Sequence, residues 1–136
     1  MPKKFPLNSA GFNPFCDRIG LNFTSFGEGR SSCTLEVHED LFNPHKVLHG
    51  GVIYTMADTG MGGALYSELN EDELCATLEI KIVYFKAVKE GLLSCDTKLL
   101  HKSRKTAFLE SDISRNGRPV AKALGTYQIF KSRTAP

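Results

Sequence analysis

The sequence lacks any strong excess of charge. Lys and Arg total 17 against 15 Asp and Glu, a formal net charge of +2, too mild to argue for a nucleic-acid partner. It has no CxxC pair. Cys16, Cys33, Cys75 and Cys95 are widely spaced, so neither a metal site nor a disulfide frame is expected, and they read as small core residues in a reducing compartment. It has no uninterrupted apolar run long enough to span a bilayer. The apolar segment after His49 is broken by Asp58 and several glycines. Met1–Phe15 carries Lys3 and Lys4 without a continuous apolar stretch, so no secretion signal is expected. Repeats and linkers are absent too. With 136 residues, 41% hydrophobic and 24% charged, the composition is that of an ordinary globular protein able to bury a core. The expectation is one cytoplasmic domain over 1–136, with a loose lead-in over 1–12 and a tail over 131–136, and with no metal or membrane partner.

What is present centres on Asn43–Ser67, NPHKVLHGGVIYTMADTGMGGALYS. A polar, Pro-containing loop reaches His49-Gly50-Gly51 and runs into a segment with apolar residues at 53, 56, 57, 61 and 64, which is helical spacing. Between Gly50 and Ser67 the one charged side chain is Asp58. The remaining positions are Gly, Thr, Tyr and Ser, so the helix has no strongly solvated face and should be buried. A carboxylate there needs an explanation, because an unpartnered buried charge is costly. Gly60, Gly62 and Gly63 each weaken a helix relative to Ala, which points to close approach by a neighbouring backbone.

Before the helix, period-2 alternation marks strands over Arg18–Phe26 and around Cys33, Leu35 and Val37, joined at Gly27-Glu28-Gly29. After the helix, which the pattern ends near Glu68, four more strands follow. They cover Thr77–Phe85, Leu92–Leu100, Lys105–Ser114 and Pro119–Phe130, the last two joined by an Asn116-Gly117 hairpin turn. On the first of these, alternation puts Leu78, Ile80, Ile82 and Tyr84 on one face and Thr77, Glu79, Lys81 and Val83 on the other. The fold class is α+β. One helix cannot cover both faces of six antiparallel strands, so the sheet must curl around it or pair with another copy.

Asn43-x5-His49-Gly50-Gly51, with Asp58 nine residues after the His, resembles the hotdog-fold acyl-CoA thioesterases of the 4-hydroxybenzoyl-CoA thioesterase superfamily. The branch is that of the phenylacetate-pathway and human thioesterase-superfamily enzymes. Asn13-Pro14-Phe15, Ile19-Gly20-Leu21, the Thr77–Tyr84 strand and Lys105-Thr106-Ala107-Phe108 extend the resemblance over about 13–130. It implies an antiparallel sheet wrapped around one long helix, and a cytoplasmic homodimer or homotetramer with active sites at the dimer interface. It implies hydrolysis of an acyl- or aryl-CoA thioester, with coenzyme A as part of the substrate and no separate cofactor.

By the same resemblance, Asp58 is the nucleophile or the general base, and the Gly50 N–H is the oxyanion donor. Free N–H groups at the positive end of a helix suit that second task. Thr77 would hold the attacking water, Asn43 would orient the loop or substrate carbonyl, and His49 would support the loop backbone or contact the thioester. Gly51 would allow close approach of substrate, while Tyr54, Met61 and Leu65 would line the acyl pocket. Lys102, Arg104 and Lys105 are the candidates for the coenzyme A phosphates, ahead of Arg115 and Arg118; a solvated turn is the alternative for each group. No Ser or Cys sits in a context fitting a Ser-His-Asp arrangement. Two other readings remain at this point: a hydratase or dehydratase of the same fold, and an acyl-CoA binding protein without turnover.

Overall fold

The structure, a computed structural model, describes residues 10–133. The first element is a short helix, α1 (Pro14–Ile19). Asn13 caps it by accepting the Cys16 N–H at 3.2 Å, Pro14 starts it, and Gly20 closes it at φ 80°. The strand expected from Arg18 therefore starts later. Arg18 and Ile19 complete the last turn of a helix whose closing residue must adopt a left-handed conformation, and β1 (Leu21–Gly27) begins only after it.

Strands β2 (Arg30–Glu36), β3 (Glu73–Tyr84), β4 (Leu92–Lys102), β5 (Thr106–Arg115) and β6 (Arg118–Lys131) complete one sheet in the order β1-β2-β4-β5-β6-β3. Every neighbouring pair is antiparallel. The long helix, α2 (Gly50–Tyr66), packs against all six strands, so the sheet curls round it. It ends at Tyr66 rather than Glu68, where the Ser67 hydroxyl donates to the Ala64 carbonyl and accepts the Gly29 N–H. The core is the buried side of α2 (Ile53, Met56, Ala57, Met61, Ala64, Leu65) against Leu35, Leu93, Leu109, Ile113 and Ala123.

α2 is not buried on every side. Val52, Thr55, Asp58, Thr59, Gly62 and Tyr66 are half-buried, and Tyr54 is exposed. Small side chains let the other side sit low on the sheet. A Cβ at Gly60 would lie 2.6 Å from Thr97 Oγ1, and one at Gly63 would lie 2.7 Å from the Phe23 ring. The close approach expected of these glycines is thus made by side chains of β4 and β1. Beneath residues 56–60 the sheet presents Ser31, Cys95 and Ser111, which donate to the carbonyls of Gly60, Met56 and Ala57 respectively. Their polar atoms are satisfied by the helix itself.

β3 is an edge strand, and its phase changes midway. Thr77 pairs with Tyr127 and Glu79 with Thr126, so Leu78 is an extra residue, a β-bulge. Uninterrupted alternation would put Thr77 on the face opposite Ile80 and Ile82. The bulge lets Thr77 face α2 while Ile80 and Ile82 also pack against the core. Leu78 is turned out, 57% exposed.

Candidate active site

Two groups of the expected residues lie at two different places along α2. The first group surrounds Asp58. Its Oδ1 accepts hydrogen bonds from Thr77 Oγ1 at 2.8 Å and from the Tyr127 hydroxyl at 2.5 Å. The Tyr127 hydroxyl also lies 2.9 Å from the Asp58 carbonyl oxygen. Oδ2 has no hydrogen-bond partner among the described residues. Asp58 and Thr77 line a cavity of about 360 Å³ together with Phe12, Gly62, Tyr66 and Tyr127.

Tyr127 comes from β6, 69 positions away in sequence, and the sequence reading does not single it out. It is only 2% exposed. Burial first, then the adjacent carboxylate, holds its phenol well above the usual range, so it remains a proton donor to Asp58. A signal was present in hindsight. Ala123, Gly125, Tyr127 and Ile129 alternate toward the core, and a buried tyrosine hydroxyl requires a partner.

The second group lies at the start of α2. Asn43 organises the approach: its Oδ1 accepts from the His45 N–H at 2.8 Å and the Val47 N–H at 3.4 Å, and its own N–H reaches the Val47 carbonyl at 2.8 Å. This is the turn-forming role that its residue type favours. His49 caps the helix, Nδ1 accepting the Gly51 N–H at 2.8 Å, which puts the ring proton of the neutral form on Nε2. The Gly51 amide is therefore spoken for. A Cβ on Gly51 would sit 2.8 Å from that same Nδ1, so glycine here leaves room for the His49 ring. The Gly50 N–H has no partner among the described residues. Tyr84 crosses above it and donates to the Gly50 carbonyl at 2.7 Å.

The remaining expected residues are scattered. Met61 and Leu65 have no exposed surface, and Met61 packs onto Gly125 in the core. They do not line the cavity beside Asp58, because their side of α2 faces the sheet. Tyr54 lies on the open side of α2, outside that cavity. Lys102, Arg104 and Lys105 are exposed at the β4–β5 turn, where Arg104 and Lys105 border a hollow shared with Glu73 and Lys131. Among the described residues, no cluster of three His, Cys, Asp or Glu side chains could hold a metal ion, and no helix is long and apolar enough to cross a membrane.

Comparison with known proteins gives this geometry a family. A conserved protein from Pseudomonas aeruginosa superposes with a TM-score of 0.84 at 31% identity, over 87% of this chain and 94% of that one. A thioesterase from Haemophilus influenzae shares the fold at a TM-score of 0.88 and 23% identity, over 96% and 94% of the two chains. In sequence, the 1,4-dihydroxy-2-naphthoyl-CoA hydrolase of Listeria monocytogenes is 26% identical over 98 residues, 72% of this chain and 80% of that one. The family profile described as "Thioesterase superfamily" matches residues 45–122, more than half of the chain and the part that carries Gly50, Asp58 and Thr77. The chain is a hotdog-fold member of the thioesterase superfamily.

Proposed function

We propose that the protein hydrolyses an acyl- or aryl-CoA thioester to the free acid and coenzyme A, with Asp58 as nucleophile or general base. The observation that carries this reading is the Asp58 carboxylate itself. Two hydroxyl donors converge on Oδ1, which holds the group in one orientation, while Oδ2 is left for a substrate carbon or an attacking water. Thr77 and Tyr127 act as positioning residues for it.

Attack on a thioester carbonyl places negative charge on its oxygen, which needs a donor within about 3 Å. Gly50 supplies that donor by its unpaired N–H, yet it precedes Asp58 by eight helical residues, an axial separation of about 12 Å. One thioester cannot meet both groups of one chain. A second copy resolves the conflict. Of the two edge strands of the sheet, β1 and β3, it is β3 whose residues Cys75, Ala76 and Thr77 border the Asp58 cavity. Docking two copies along that edge brings the partner's helix start toward this cavity. The site is then composite, Asp58 from one chain and Gly50 from the other, in a homodimer that can pair again to a homotetramer. The coenzyme A class fits the Listeria relative's name.

The test is thiol release from aryl-acetyl-, hydroxybenzoyl- and straight-chain acyl-CoAs, with Asp58→Asn alongside. Asp58→Asn keeps the shape and the hydrogen bonds but loses the base, and kcat should fall by about 10²–10⁴. Full activity in the folded variant would refute the mechanism. Tight acyl-CoA binding without thiol release would show a binding protein instead, and water addition to an enoyl-CoA would show a hydratase.

A further inference from the structure

A second cavity, of about 320 Å³, lies away from Asp58 and is lined by Lys86, Arg115, Asn116 and Arg118 above a floor of Val88 and Val120. Among the described residues, none that lines it is acidic. Among the described residues, the side chains of Lys86, Arg115 and Arg118 have no ion pair or hydrogen bond. Arg115 Nε is buried with no hydrogen-bond partner among the described residues, which native proteins rarely leave uncompensated. The arrangement is also unfavourable by itself. Arg115 and Arg118 stand directly opposite each other across the β5–β6 hairpin, and like charges in that register repel. Asn116 (φ 51°) and Gly117 (φ 75°) form the tight turn that holds them there. Gly91 makes the room: a Cβ on it would lie 2.7 Å from Arg115 Nε.

Three unpaired cations around one hollow call for a multivalent anion, and guanidinium groups match phosphate oxygens in geometry. We propose that this cavity binds the phosphate groups of a phosphorylated small molecule. Its position suggests a source. Leu48 N–H donates to the Val88 carbonyl, and Tyr84 reaches Gly50, so the cavity opens at the end of the sheet where α2 begins. The phosphates of a thioester substrate held at Gly50 would meet it there. That assignment rests on the hydrolase reading, whereas anion binding as such does not. It also displaces the exposed Lys102-Ser103-Arg104-Lys105 turn, at the opposite end of the sheet, as the phosphate anchor.

The experiment is calorimetric titration of coenzyme A, ADP and inorganic pyrophosphate into the full chain and into Arg115→Gln/Arg118→Gln, Lys86→Gln/Arg118→Gln and Lys102→Gln/Arg104→Gln/Lys105→Gln. Thermal melts select folded variants, and the Lys86/Arg118 pair guards against misfolding of the Arg115 variant. Coenzyme A or pyrophosphate affinity should fall at least about tenfold in the cavity variants and hold in the turn variant. Affinities unchanged in the cavity variants, or no binding of any probe, would overturn the proposal. Kinetics then identify the source. If the phosphates are the substrate's, KM for acyl-CoA rises in the cavity variants while turnover of the phosphate-free acyl-N-acetylcysteamine thioester is unchanged. If cavity variants lose pyrophosphate with KM constant, the occupant is a free phosphorylated ligand, and the site stands. Absence of any thioester hydrolysis would sink the hydrolase reading alone, since calorimetry still decides the cavity.

Discussion

At the scale of single residues, the proposed chemistry depends on how Asp58 is held. Thr77→Val and Tyr127→Phe each remove one donor to Oδ1 with little change of shape. Each should lower kcat with KM within about twofold of the parent, because these groups orient the carboxylate rather than touch substrate. Tyr127→Phe should also cost about 1.5–3 kcal/mol of stability in urea titrations, as expected for a hydrogen bond to a charged group. A pH signature separates Tyr127 from other buried hydroxyls. Its phenol titrates above the ordinary tyrosine range of about 10 when folded, so above pH 10 the unfolded chain releases a proton that the folded chain keeps. Fewer protons on the unfolded state means that stability is intact below pH 10 and falls as pH rises past it. In Tyr127→Phe that decline should be shallower by about 1.4 kcal/mol per pH unit. An unchanged slope would show that the hydroxyl is not held as described. Asp58 was legible in the sequence because it is the lone charge in an apolar helix. Tyr127 was not, since contact over 69 positions leaves no local pattern.

At the scale of elements, Gly60, Gly62 and Gly63 in the second half of α2 look equivalent in sequence and are not. Gly60 and Gly63 face the sheet, with contacts that leave no room for a methyl group, whereas a Cβ at Gly62 meets nothing within 4 Å. Gly60→Ala should therefore destabilise by about 1–3 kcal/mol despite its better helix propensity, through overpacking against Thr97. Gly62→Ala should stabilise by up to about 1 kcal/mol. Gly62 lines the cavity beside Asp58, so the same substitution should reduce kcat/KM if substrate passes close to the helix. Urea midpoints and thiol-release rates on the two variants read both effects. The β3 bulge is another property of an element that alternation hides. The pattern over Thr77–Tyr84 reads as one uninterrupted strand, but the pairing with β6 accommodates an extra residue at Leu78, and that brings Thr77 to Asp58.

At the scale of the whole molecule, the helix imposes a distance. Gly50 and Asp58 are held about 12 Å apart by its rise, so the proposed mechanism requires the two halves of the chemistry to come from different copies. Gly50→Pro tests this cleanly. Proline is tolerated at the first helical position, and His49, at φ −62° and ψ 131°, already has the extended conformation that a following proline requires. The substitution deletes the N–H, and kcat should fall by about 10²–10³. Gly50→Ala controls for the 3.2 Å approach to the Tyr84 ring. Mixing Gly50→Pro and Asp58→Asn chains under subunit exchange should restore about a quarter of parental activity: half the dimers are mixed, and each mixed dimer has one intact site of two. No restoration would place the site within one chain. The exposed Leu78, Val83 and Tyr84 of β3 give that edge apolar surface for a partner.

The sequence by itself determined what depends on near neighbours. The long helix and its start at Gly50, the six strands and the singular position of Asp58 all follow from periodicity, glycine placement and a lone charge in an apolar segment. It also contained the caps of α1, although alternation through Leu21 and Phe23 masked them. The tertiary structure alone decided which side of α2 meets the sheet. That choice kept Met61 and Leu65 out of the cavity beside Asp58 and left Asp58, Gly62 and Tyr66 to face it. It brought Tyr127 to Asp58 and set Arg115 against Arg118 beside Lys86. These are contacts between strands far apart in the chain, set by register and by one inserted residue. Shifting a strand by a single position reverses which side chains reach the helix.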